Sequence, residues 1–107
     1  MGTVNEDGVM DRDRATEVLR EHESELRDRG VTRLSLVGSL ARGDAGLTSD
    51  IDILVDIDPR RKFSLIDLSG LRFYFCDLFG RETDVLIRQD LRPEFLGRLA
   101  GDEFAVF

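Results

Sequence analysis

Tryptophan is absent from these 107 residues; cysteine, tyrosine and histidine occur once each, and proline only twice. A lone thiol, Cys76, closes no disulfide within the chain, and a lone imidazole, His22, has no second histidine with which to build a zinc site. No stretch approaches the roughly 18 consecutive apolar residues of a membrane span, so no membrane association is expected. The opening, Met1 to Gly8, lacks the basic and apolar regions of a secretory signal, which makes a soluble cytoplasmic protein the expectation. Lysine is scarce as well: Lys62 stands against fourteen arginines, and fourteen aspartates outnumber eight glutamates. Such a surface suits a salty cytosol, although a GC-rich genome gives the same arginine bias.

Positive charge is short overall. A formal net charge of −7 repels phosphate backbones, so stable nucleic-acid binding is not expected and a nucleotide would need metal ions as mediators. This length normally makes one domain, with little surface left for a separate substrate module. Any activity is therefore compact or borrows a partner's surface.

Residues 1–10 are polar and read as a flexible tail, leaving 11–107 as the domain. From Asp11 to Arg29, Ala15, Val18, Leu19, His22 and Leu26 recur at helical spacing until Gly30, which predicts one surface helix. Val31 to Val37 alternates as a strand leading into Gly38-Ser39, and Gly43 to Ser49 is a loop. Asp50 to Ile57 is the clearest strand, with Ile51, Ile53, Val55 and Ile57 on the core side and Asp50, Asp52 and Asp56 opposite. Phe63 to Phe79 is long enough for a four-turn helix stopped by Gly80. Its core stripe is expected to be Leu65, Leu68, Leu71, Phe75 and Leu78. Glu82 to Arg88 reads as a strand with Asp84 and Leu86 on one face, a short helix follows Pro93, and Glu103 to Phe107 fits an edge strand. Asp44, Asp56 and Asp58 read as ordinary surface or loop acids, and Cys76 as a small buried hydrophobe.

Chemistry gathers where three of these pieces converge. Residues i and i+2 of a strand project to one side, so the carboxylates of Asp50 and Asp52 stand about 7 Å apart at Cα, near enough to share ions. Unneutralised, they would repel and raise one pKa. A pair of Mg²⁺ ions removes that penalty, because Mg²⁺ favours one or two carboxylates with waters and substrate phosphates. This is two-metal logic for phosphoryl or nucleotidyl transfer. Gly38, without a Cβ, lets the backbone approach a triphosphate; Ser39 adds a hydroxyl and an N–H, and Arg42 a fork of donors one turn on. Ser49, just before Asp50, is counted with the nucleotide-binding residues, although closing the loop is its more ordinary role.

The run Gly38-Ser39-Leu40-Ala41-Arg42-Gly43-Asp44-Ala45, followed by Ser49-Asp50-Ile51-Asp52, resembles the G-S-x10-D-x-D signature of the polymerase β-like nucleotidyltransferase superfamily, and of its minimal nucleotidyltransferase (MNT) members in particular. Chance predicts about 0.01 such matches for this composition. The resemblance implies an α/β (α+β) palm, a mixed twisted sheet backed by helices. It implies that Asp50 and Asp52 bind both Mg²⁺ ions, that Asp84 shares one and helps deprotonate an acceptor hydroxyl, and that Gly38 and Ser39 hold the β and γ phosphates of ATP. Many MNT proteins of this length are antitoxins paired with a HEPN-domain ribonuclease toxin, and the implied reaction is AMP transfer to a toxin tyrosine.

In the long helix, Phe63, Ile66, Phe73 and Tyr74 add apolar area away from the core stripe. That face is expected to dock the toxin or a second copy of the chain, unless the tail or first helix covers it. Two functions compete: an adenylyltransferase antitoxin, and an antitoxin that only masks the toxin's active site. Three converging carboxylates favour the enzyme.

Overall fold

The computed structural model describes residues 11–43 and 50–107. The expected tail over residues 1–10 lies outside them, as does the loop that includes Ser49.

Helix α1, Arg12–Glu21, opens on Asp11, whose carboxylate accepts the Arg14 backbone N–H at 2.7 Å and so satisfies one of the donors a helix start leaves unpaired. Ala15, Val18 and Leu19 form its buried side. The single helix expected as far as Arg29 is broken at His22, and α2, Glu23–Asp28, begins beyond the break. There the backbone leaves helical geometry (φ −105°, ψ 13°), and the His22 N–H goes to Leu19 O. The Val18 carbonyl is met by the His22 ring instead, with Nδ1 2.8 Å away, while the ring touches Tyr74 edge-on. Tertiary contact overrides a helical pattern that runs unbroken in sequence.

The sheet runs β3-β2-β1-β4. Strand β1, Val31–Val37, lies antiparallel to β2, Ile51–Ile57, and to β4, Phe104–Ala105, whereas β2 is parallel to β3, Thr83–Ile87. A parallel pair needs a crossover, which α4, Leu65–Phe79, supplies. Ser64 and Asp67 close a reciprocal capping box at its start, and Gly80, in the left-handed region at φ 66°, ends it. The edge strand is extended by the C-terminal residues: Val106 N–H donates to Leu34 O and Leu34 N–H to Phe107 O.

Ile51, Ile53, Val55 and Ile57 pack with Ala15, Leu19, Leu26, Leu71, Phe75 and Phe79 in one buried cluster, so α1, α2 and α4 cover the same face of the sheet. The α4 core side is Leu71, Phe75 and Phe79 at i, i+4 and i+8, with Leu78 half-buried beside them. Leu65, expected in that stripe, is 81% exposed. The second apolar face also divides. Phe63 and Tyr74 pack against the core, while Ile66 and Phe73 stay in solvent. Tyr74 is covered from α2: Arg29 stacks over its ring, its hydroxyl oxygen is buried, and burial together with nearby Glu25 pushes its pKa up to about 12.

Asp56 is not a simple surface acid. It accepts from Arg88 Nε at 2.7 Å, Arg88 Nη2 reaches Glu103 at 2.6 Å, and Ser35 Oγ donates to Glu103 at 2.7 Å. This half-buried network ties β2, the end of β3, β1 and the start of β4 together on the face turned away from the helices. Gln89, in a 3₁₀ turn at Arg88–Asp90, does similar work with its amide, donating to Ile57 O and accepting from Ile57 N–H. Asp58 does lie in a turn, paired with exposed Arg60.

Candidate active site

Alternation along β2 sends Asp52 to the sheet face turned away from α1, α2 and α4, because Ile51 and Ile53 are claimed by the core. Parallel pairing with β3 then aligns Asp52 with Asp84, and antiparallel pairing with β1 aligns it with Val37, the residue before Gly38. The sheet register thus draws the Gly38 corner, Asp52 and Asp84 to one end of one face. Asp50, just before β2, is exposed beside them.

Gly38 carries φ 76° and ψ −148°, and a Cβ built on it would meet Asp52 Oδ2 at 2.9 Å. Both the backbone conformation and the close approach demand glycine. Ser39 then starts α3, a single turn at Ser39–Arg42 whose Leu40 and Ala41 are buried and hold the corner down. Arg42 sits on that turn with its guanidinium 3.1 Å from Asp102, so an ion pair occupies at least one arm of the fork expected to reach phosphates.

Asp52 is the least solvated of the three carboxylates. Burial raises its pKa first, and the negative charges of Asp84 and Asp50 raise it further. A cation beside it would offset that repulsion. Among the described residues no three carboxylate, imidazole or thiol groups form a ready-made cage for an ion. Mg²⁺ seldom requires one, being held by one or two carboxylates together with water and substrate phosphates. The donor set therefore fits Mg²⁺: Asp52, supported by Asp50 and Asp84, would hold it.

One neighbour of the site was not anticipated. Arg72, on α4, stands 3.7 Å from Asp84 and 3.5 Å from Glu82, and its Nε donates to Thr83 O at 3.3 Å. Cys76, half-buried rather than buried, directs its Sγ to the same carbonyl at 3.8 Å. Together they anchor the backbone just before Asp84. No spacing in the sequence announces this, because only the α4 crossover brings residue 72 to the start of β3.

Residues 19–101 match the family model described as Nucleotidyltransferase domain. Protein adenylyltransferase MntA of Thermococcus cleftensis is 37% identical over 76 residues, covering 70% of this chain and 75% of that protein. A Methanocaldococcus jannaschii protein provisionally named a protein adenylyltransferase is 38% identical over 77 residues, 72% of this chain and 81% of its own length. A solved structure provisionally assigned as a minimal nucleotidyltransferase superposes with a TM-score of 0.73 at 27% identity, covering 90% of this chain and 94% of the other. A chain from the complex of tri-AMPylated Shewanella oneidensis HEPN toxin with MNT antitoxin gives 0.63 at 15% identity over 84% and 69% of the two chains, a likeness of fold alone.

Proposed function

This chain belongs to the nucleotidyltransferase domain family, and we propose that it is a Mg²⁺-dependent adenylyltransferase antitoxin, moving AMP from ATP to a tyrosine hydroxyl of a cognate HEPN ribonuclease toxin. One observation carries the reading: Asp52, its charge opposed by Asp84 in register and by Asp50, lies against the Gly38 corner on the sheet face turned away from the helices. Relatives named protein adenylyltransferases align over most of both chains, and the fold is shared with the antitoxin of an AMPylated toxin complex.

In this reading the N–H groups of the Gly38-Ser39 corner hold the β and γ phosphates, and Asp50, Asp52 and Asp84 hold two metal ions. When bound, the Mg²⁺ ions lower the pKa of the attacking hydroxyl and steady the leaving pyrophosphate. The acceptor oxygen forms a bond to the α-phosphorus as the bond from that phosphorus to pyrophosphate breaks. The hydroxyl proton passes to Asp84, whose side chain is about half exposed and so open to a protein acceptor. The chain supplies position and charge rather than a covalent intermediate.

Intact mass of the neighbouring-gene ribonuclease after incubation with ATP, Mg²⁺ and this protein tests the proposal. Additions of AMP with wild type but not with Asp50→Asn/Asp52→Asn are expected. No addition, with toxicity still relieved by the double variant, would mean neutralisation by masking alone.

A further inference from the structure

We propose that the outward side of α4 is the seam of a homodimer in which two copies of the helix cross antiparallel at Gly70. Ile66 is 83% exposed and Phe73 71%, with Leu65 alongside; the only other large apolar residue counted as exposed among the described ones, Phe95, shows 37%. Between Ile66 and Phe73 lie Ser69 and Gly70. A Cβ on Gly70 would meet nothing within 4 Å, and its φ is not positive, so nothing inside this chain asks for glycine there. A mid-helix glycine weakens its own helix. It becomes useful where a second backbone approaches, since interaxial distance follows the size of the side chains at the crossing.

The face is self-complementary, which is what a two-fold interface requires and another protein's surface would not. Ile66 precedes the Ser69–Gly70 midpoint by the same distance as Phe73 follows it, so antiparallel copies place Ile66 of each against Phe73 of the other. Asp77 lies one turn beyond Phe73 on the helix, and Lys62 lies in the stretch leading up to the Ser64 cap, beyond Ile66; both are exposed, so opposite charges would meet at each end of the seam. A cavity of about 320 Å³ opens beside Ile66, with Phe63, Ile66 and Leu71 as its apolar wall and charged groups, Asp28, Arg61 and Asp67 among them, on the other. Its apolar wall is where the Phe73 ring of the second copy would rest.

The three exposed apolar side chains offer on the order of 400 Å² per copy. Doubled, this is about 800 Å² before the rim of Ser69, Lys62 and Asp77 is added, below the roughly 1,200 Å² of a stable specific interface and in the range of a weak, transient dimer. Two copies each carrying −7 repel, so added salt strengthens the association. Because α4 packs on the sheet face opposite Asp52 and Asp84, both acidic faces stay open in the dimer.

Sedimentation velocity of the full chain across micromolar to near-millimolar concentrations tests this, with circular dichroism melts to show that each variant folds. A monomer–dimer shift is expected, weakened roughly tenfold or more by Phe73→Glu or Gly70→Leu. Lys62→Asp weakens it and Lys62→Asp/Asp77→Lys restores it. Gly70→Cys in a Cys76→Ser background forms a disulfide-linked dimer on mild oxidation, since residue 70 sits beside the two-fold axis. A chain monomeric throughout overturns the proposal, even if Phe73→Glu then abolishes toxin binding, which would assign the face to that protein instead. A dimer indifferent to these substitutions, or no cross-link at position 70, overturns it equally.

Discussion

Gly38 and Asp52 are sterically coupled: the Asp52 Oδ2 lies 2.9 Å from the point a Gly38 Cβ would occupy, on a residue already at φ 76°. Gly38→Ala must strain the backbone and push the carboxylate aside together. We predict a loss of about 1–3 kcal/mol in urea unfolding, with transferase activity falling further than the lost stability explains. An active, fully stable Gly38→Ala would show that the corner is not fixed as described.

Asp52→Asn separates stability from function. The Asp52 pKa is raised in the folded protein, by burial first and then by Asp84 and Asp50, so the fold binds this proton more tightly than the unfolded chain does. Its contribution is fully present below the ordinary carboxylate range and is lost as pH rises through the raised value. At neutral pH without divalent ions, Asp52→Asn is expected to melt slightly higher than wild type, by a small margin because the group is partly solvated. The stabilisation of wild type by Mg²⁺ should disappear, and activity should fall roughly 100-fold or more. Scanning calorimetry with and without Mg²⁺ reads the first two.

The Arg88 network works in the opposite pH direction. Hydrogen bonds from Arg88, then from Ser35, hold the Glu103 carboxyl below its usual value, so its stabilisation is present above the unfolded range and is lost as pH falls through the depressed one. Arg88→Ala strands Asp56 and Glu103 half-buried, at a cost of about 1–3 kcal/mol near pH 7. Denaturant unfolding at several pH values should show a flatter acid limb for Glu103→Gln than for wild type.

In the proposed site, Arg72, 3.7 Å from Asp84, would compete with a divalent ion for that carboxylate. Because the pair is exposed and loose, Arg72→Ala should change stability by under about 1 kcal/mol and tighten Mn²⁺ binding about two- to fivefold. Titration of the paramagnetic ion, followed by its free-ion signal, would reveal weaker binding if Arg72 instead serves mainly to place Asp84.

Gly70→Ala should stabilise the monomer by about 0.5–1 kcal/mol, since a helix-interior glycine gains propensity without a clash. Thermal unfolding at low concentration checks it. An unchanged or lower melting temperature would mean that space around Gly70 is already spoken for.

Strand periodicity made the acidic face readable in advance: Ile51, Ile53 and Val55 had to turn inward, and Asp52 therefore outward. What alternation does not carry is register. That Asp84 sits opposite Asp52 depends on a parallel pairing made through α4, which no local spacing encodes. The misreadings share this origin. Asp56 meets Arg88 32 residues away. Leu65 fits a helical repeat, but Leu71, Phe75 and Phe79 set the buried side, and six residues before Leu71 is about 120° around the helix. The break at His22 arises because its ring can serve Val18's carbonyl while resting against Tyr74.

Tyr74 is the only tyrosine in the chain, and its hydroxyl is sealed between α2 and α4, behind the sheet face opposite Asp52. Under the proposed function, a transferase that labels tyrosine would find no exposed tyrosine hydroxyl of its own to compete as substrate. AMP–tyrosine formed in that reaction would mark another molecule, and the chain's own mass would serve as an internal blank.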